Sequence, residues 1–350
     1  MSNFITTVLS LLFRHYYFSK NKNMKTSIFS TFFHTFSIAI FFAFYFGAFS
    51  FSAVQAQGCS DAGFCTMGAM RPNQAYQKKD KIELRSLEIS QYYGRTVFKG
   101  NIWATNVEAN FSLGKKFLWQ FKLPYEIHSG RLGTTQGFGD LSLSLTYLAL
   151  QKEAYQIQLT AGTKIPTNRA SLSNEQGLPL PMYYQTSLGT YDLVLGAALQ
   201  TKKWLLATGF QMPILNQNEN AFFWGAWRDS PLKPISDLYP PALHLRRGKD
   251  LMLRLERSVR FSRFNAYIGA LAIYRFSQDQ RFTPNTEDYG LVEGSRGLVC
   301  NFLSGVGYRF STRYSLSGLF AYAPKVLQRE TNPDGLGRRF VVSMAFKRNF

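Results

Sequence analysis

A chain of 350 residues that is 45% hydrophobic and 16% aromatic, with 32 Phe and 19 Tyr, carries enough apolar surface for a large core, which excludes a disordered chain. Its 40 Lys and Arg against 21 Asp and Glu give a net charge of +19. No basic helix, zinc-ligand spacing or glycine-rich phosphate loop accompanies that charge, so no nucleic acid partner is expected.

Only one apolar run reaches the roughly 20 residues that a membrane-spanning helix needs, which argues against a polytopic helical protein. It covers residues 28–54 and follows Met24-Lys25. A basic start, an apolar stretch, and Val54 and Ala56 before Gln57 read as a secretory signal peptide, residues 1–56, with Met24 a better start than Met1. A single anchoring helix is the alternative. Lipoprotein processing at Cys59 fits poorly, because no branched apolar residue lies three before it. Removal of residues 1–56 leaves 36 basic and 21 acidic residues, a net charge of +15. For an exported chain, that balance points to anionic partners such as outer-membrane lipids and lipopolysaccharide.

Residues 57–81 precede the first strand pattern and are expected to form a periplasmic segment, either a plug or a tether. Cys59 and Cys65 lie close together there, and in an oxidising compartment they predict a small disulfide loop. A metal site at this pair is less well supported, since no other Cys or His lies nearby. Cys300 sits in a strand pattern and is expected to pack as a small apolar residue. No motif implies a cofactor.

From residue 82 onward about twelve runs alternate apolar and polar side chains, the period of a strand. They fall near 83–93, 101–113, 117–128, 139–150, 155–165, 188–200, 204–214, 250–259, 263–276, 298–310, 313–324 and 338–350. The cleanest sets Phe117, Trp119, Phe121, Leu123, Tyr125 and Ile127 against Gln120, Lys122, Pro124, Glu126 and His128. In the first run Arg85 and Glu88 blur the alternation.

The connections alternate between short (114–116, 151–154, 201–203, 260–262, 311–312) and long (129–138, 166–187, 215–249, 277–297, 325–337). Long loops at one end, tight turns at the other and an even strand number are the pattern of an outer-membrane barrel. Closure follows from the solvent, because an open sheet edge cannot be left unpaired in hydrocarbon. Aromatic residues at run ends, among them Trp103, Trp119, Tyr125, Trp204 and Tyr308, fit interfacial girdles. The expected fold is all-β: a transmembrane antiparallel β-barrel of about 12 strands over residues 82–350, with a short N-terminal disulfide-looped segment. The expected location is the outer membrane of a Gram-negative-type bacterium.

On the polar strand faces, Glu108, Lys122, Glu126, Asp140, Lys164, Asp192, Arg254, Glu256, Arg275 and Arg309 are the candidates for lining the lumen. Mixed charge inside a barrel either lines a water path or forms salt bridges that plug it.

Four short motifs go further: Gly137-Phe138-Gly139-Asp140-Leu141-Ser142 entering a strand, Gly162-Thr163-Lys164-Ile165-Pro166-Thr167 leaving one, then Gly177-Leu178-Pro179-Leu180-Pro181 and Ser187-Leu188-Gly189-Thr190-Tyr191-Asp192. Together they resemble the outer-membrane barrels associated with phenol meta-pathway degradation. The resemblance covers roughly residues 137–200 and implies a barrel that passes small, often hydrophobic, solutes.

An enzymatic barrel would need an activated Ser or a metal, usually with a His. After residue 56 the only histidines are His128 and His244, so an enzyme is not expected. A structural or surface-interaction barrel is the other alternative, with loop 215–249 (Phe222-Phe223-Trp224-Gly225-Ala226-Trp227, then a Pro-rich stretch) as its binding surface or lid.

Overall fold

The computed structural model describes residues 66–70 and 82–350. The expected signal peptide, the Cys59–Cys65 loop and the remainder of residues 57–81 lie outside the described residues.

Fifteen strands follow one another: β1 (Ile82–Thr96), β2 (Asn101–Leu113), β3 (Phe117–Gly130), β4 (Gly133–Phe138), β5 (Leu141–Gln151), β6 (Tyr155–Ile165), β7 (Thr190–Thr201), β8 (Trp204–Asn216), β9 (Asp250–Phe261), β10 (Phe264–Arg275), β11 (Gln280–Thr283), β12 (Asp288–Leu291), β13 (Gly297–Arg309), β14 (Tyr314–Tyr322) and β15 (Arg338–Asn349). All pairings between them are antiparallel, and each barrel strand pairs with its neighbour in the chain once the β11–β12 hairpin is set aside. β1 pairs with β2 on one side and β15 on the other, so the sheet closes on itself. β4 and β5 both pair with β3 and form one wall element interrupted at Gly139-Asp140, which gives a closed barrel of twelve strands. No helix among the described residues is long and apolar enough to cross a membrane; in a barrel the strands do so.

The distribution of side chains is the inverse of a water-soluble core. Trp119, Leu159, Leu206, Leu253, Ile268 and Phe302 are exposed on the outer face, while Ser144, Thr146, Gln158, Thr160, Arg254 and Glu256 are buried inside. Because strand side chains alternate, one register sends most large apolar residues of a strand toward lipid and most polar ones toward the lumen, with inward exceptions such as Met252 and Leu303. In β9 the alternation holds from Asp250 to Glu256 without a break.

Two predicted loops contain strand. Residues 129–138 are mostly the end of β3 and all of β4, joined by a turn at Arg131-Leu132. Gly130, Gly133 and Gly137 give this stretch the composition of a loop, but pairing with an already formed β3 supplies the hydrogen bonds that propensity alone would not. Residues 277–297 likewise carry the β11–β12 hairpin. β1 extends beyond its predicted run at both ends; Glu88 faces inward, and the irregularity lies at Leu84–Ser86, where β1 slips against β2.

Candidate channel lumen

The described N-terminal residues lie within the barrel. Gly68-Ala69-Met70 makes one short helical turn, with Met67, Ala69 and Met70 buried against Val194, Ala198, Leu205 and Met252 of the wall. The Gly68 N–H donates to Gln120 Oε1 (2.7 Å) and the Ala69 N–H to Thr160 Oγ1 (2.8 Å). The Met70 carbonyl accepts from Arg254 Nη1 at 3.5 Å. These bonds satisfy backbone groups that a helical turn this short leaves open. Gly196 makes room for the segment: a Cβ there would sit 2.8 Å from Met70 Sδ.

On the other side of the lumen, toward the short turns, lies a cavity of about 410 Å³. Its lining includes Thr66, Glu88, Glu108, Lys122, Arg254, Tyr267, Arg309 and Lys347. Four of these residues stand in one cross-strand row: Lys347 is the register partner of Glu88, Glu88 of Glu108, and Glu108 of Lys122.

Toward the long loops the lumen is filled by ion pairs. Arg275 binds Asp250 through Nε and Nη2 (2.7 and 2.6 Å), Asp279 through Nη1 (2.8 Å) and Asp334 through Nη2 (2.9 Å). Arg247 reaches Asp192 (3.2 Å), Asp250 (3.5 Å) and Asp334 (3.6 Å). Arg329 lies 3.8 Å from Asp334. All seven side chains are buried, and they tie three loops to β7, β9 and β10. Burial disfavours ionisation of Asp334, but the guanidiniums of Arg275, Arg329 and Arg247 outweigh it and hold this carboxyl well below the usual range. Burial instead pushes Asp279 up, with Asp334 adding to the rise and Arg275 opposing it.

A second polar group adjoins this layer. Lys164 lies 3.6 Å from Asp140, and the Ser187 hydroxyl donates to Asp140 at 2.5 Å. His128 has one ring nitrogen on Glu126 Oε2 (2.8 Å) and the other on the Tyr183 carbonyl (3.0 Å). Asp140 reaches this position because the wall breaks just before it. Pro124 in β3 has no N–H to give, its carbonyl accepts the Gly139 N–H at 2.9 Å, and the pairing of β3 passes from β5 to β4 there. A Cβ on Gly139 would lie 2.6 Å from Glu126 Oε1. The glycine of the Gly-Asp motif is thus favoured by the close approach of the Glu126 and Pro124 side chains.

Above the charges, aromatic residues of the long loops pack together. Phe98 meets Tyr183 edge-on (centroids 4.9 Å apart) and Tyr239 at 4.4 Å. The Tyr184 and Tyr239 hydroxyls are 3.1 Å apart. Trp227 is buried and donates through Nε1 to the Pro179 carbonyl (2.9 Å). Burial pushes the phenols of Tyr183, Tyr184 and Tyr239 up. Loop 217–249 therefore folds inward through Phe222, Trp227 and Tyr239, while Phe223, Trp224 and Leu238 are exposed.

The ten sequence-selected residues fall into three groups. Asp140, Lys164, Asp192, Arg275 and Glu126 lie in the charged outer layer, and Arg254 pairs with Glu256 beside the N-terminal turn. Glu108, Lys122 and Arg309 line the cavity, Arg309 at its exposed rim. The sequence reading missed Arg247, Asp250, Asp279, Arg329 and Asp334. Four of these lie in loops, where strand alternation carries no signal; Asp250 begins β9 on the same inward face as Arg254 and Glu256, and that alternation could have found it.

No protein-family model matches the chain, and no curated protein matches it in sequence. Among solved structures, an outer membrane channel from Pseudomonas putida F1 matches over 80% of this chain and 99% of its own, with 14% identity and a TM-score of 0.53. Two others fit more loosely. The Ralstonia pickettii toluene transporter TbuX has 11% identity, a TM-score of 0.37, and coverage of 77% and 90%. Outer membrane phospholipase A of Escherichia coli has 9% identity, a TM-score of 0.37, and coverage of 77% and 98%. At such identities the likeness is one of fold: this chain is a twelve-stranded β-barrel of the outer-membrane type.

Proposed function

We propose that this barrel is an outer-membrane channel for small solutes. Its cavity opens toward the periplasm, and its outer end is held closed by the charged layer and the aromatic lid. The observation that carries this reading is the inverted barrel itself, with apolar residues outward, polar residues inward and about 410 Å³ of space within. Thr66–Met70 acts as a plug, bonded to Gln120 and Thr160 through the Gly68 and Ala69 N–H groups. The resemblance to phenol meta-pathway barrels extends the reading to solutes with apolar bodies.

The test is conductance of the purified full-length protein in planar bilayers, before and after removal of residues 218–240. Discrete conductance that rises on loop removal supports a channel. Silence in both forms, at every voltage, would sink it. A second reading, a surface-interaction barrel, is favoured by exposed Phe223, Trp224 and Leu238 on the outer loop. It expects that loop removal abolishes partner binding and leaves conductance unaltered.

A further inference from the structure

We infer that the open half of the lumen is a binding site for an amphipathic organic anion, a carboxylate on a short apolar body. This names the solute class for the channel reading and rests on that reading for transport, though not for binding. A cavity of about 410 Å³ lies within the range of small-ligand sites, roughly 300–1,000 Å³.

Its charges do not cancel. The row Lys347–Glu88–Glu108–Lys122 holds two cations and two anions in register, and Arg254 is paired with Glu256. That leaves Arg260, Arg263 and Arg309, which line the same cavity and form no ion pair with a carboxylate among the described residues. Arg260 ends the inward row of β9, Arg263 lies in the β9–β10 turn and Arg309 ends β13. Two hydrogen bonds hold Arg309 against the Ser262-Arg263 turn: the Arg309 N–H donates to the Arg263 carbonyl at 2.9 Å and Arg309 Nη2 to the Ser262 carbonyl at 3.4 Å.

Part of the remaining lining is apolar, with Leu303, Leu319, Ala321, Val341, Ala345 and the ring of Tyr267 set among Ser90, Asn106, Ser317 and Ser343. A guanidinium fork matches a carboxylate by two parallel hydrogen bonds. An inorganic anion would satisfy the arginines and leave the apolar wall unused, and a neutral apolar solute would do the reverse. A carboxylate with a hydrocarbon body uses both.

The test is calorimetric titration of the full-length protein in zwitterionic lipid nanodiscs with hexanoate, hexanamide and acetate, with empty nanodiscs as blank. Hexanoate is expected to bind at least tenfold more tightly than either of the others. The variant Arg260→Glu/Arg309→Glu is expected to lose at least tenfold in hexanoate affinity with hexanamide unchanged, and Arg260→Lys/Arg309→Lys, which keeps the charge but not the fork, to show a smaller loss. Heat-modifiable mobility checks that each variant folds, and Arg263→Glu in the turn replaces any that does not. Equal affinity for hexanoate and hexanamide, undiminished hexanoate binding in the reversed variant, or no binding heat with any probe would overturn the inference. Hexanoate binding without bilayer conductance would overturn transport and leave the site standing; conductance without hexanoate preference would do the opposite.

Discussion

The two halves of the lumen are built from the same residue types and put them to opposite uses. In the outer half, Arg247, Arg275 and Arg329 meet Asp192, Asp250, Asp279 and Asp334 under a roof of Phe98, Tyr183, Tyr184 and Tyr239. In the inner half, Arg260, Arg263 and Arg309 stand around a cavity without carboxylate partners among the described residues. The difference lies in the connections. Long loops bring their own acids and aromatics to the mouth, while turns of two to four residues bring little beyond Arg263. A barrel with this connectivity closes at its loop end and stays open at its turn end.

The largest expected effect comes from removing the roof. Deletion of 218–240 takes away Phe222, Trp227 and Tyr239 together and is expected to raise single-channel conductance at least tenfold. An unchanged conductance would mean that the N-terminal turn, rather than the outer half, sets the constriction. Gly196→Leu addresses that turn directly, because its side chain needs the space of Met70. It is expected to displace Thr66–Met70 and raise conductance severalfold, read in the same bilayers.

Stability should separate the halves as well. Removing one partner of a buried ion pair costs about 3–5 kcal/mol, so Arg275→Ala, which strips Asp279 of its guanidinium and Asp250 and Asp334 of their nearest one, is expected to lower the temperature of the heat-modifiable transition markedly. Arg309→Ala, exposed and without a carboxylate partner, is expected to stay within about 0.5 kcal/mol. Similar losses in both would erase the contrast.

The smallest effect is that of pH. Asp334 has its folded-state value below the ordinary one near about 4. Its stabilisation is therefore complete above that ordinary value and fades only as pH falls through the depressed one. Asp279, pushed up, works in the other sense: it favours the closed layer as pH falls through its raised value. Amide exchange in 323–337 is thus expected not to accelerate between pH 8 and about 4 and to rise only below. Asp334→Asn should remove that acid rise, and acceleration near pH 6 would contradict the assignment.

Much of this barrel was legible before any coordinates. The twelve strands followed from alternation, as in Phe117–His128, and the polarity of the two ends followed from loop length. Strand limits were less so, because Gly130, Gly133 and Gly137 read as a loop until β3 is there to pair with β4. Of the site, Lys164 and Asp192 could be picked out because a charge on a strand's polar face must point inward. Their partner layer could not, since Arg247 and Asp334 come from loops with no period.

By itself, then, the sequence determined the period, the connectivity and which face of each strand meets lipid, all of which depend on neighbours along the chain. Only the tertiary structure decided that Thr66–Met70 lies against Gln120 and Thr160, and that Arg275 gathers Asp250, Asp279 and Asp334. It also decided that three arginines at the other end gather no carboxylate among the described residues. Those pairings depend on how loops fold across a closed barrel, and burial fixes their partners through charge and distance rather than through spacing in the chain.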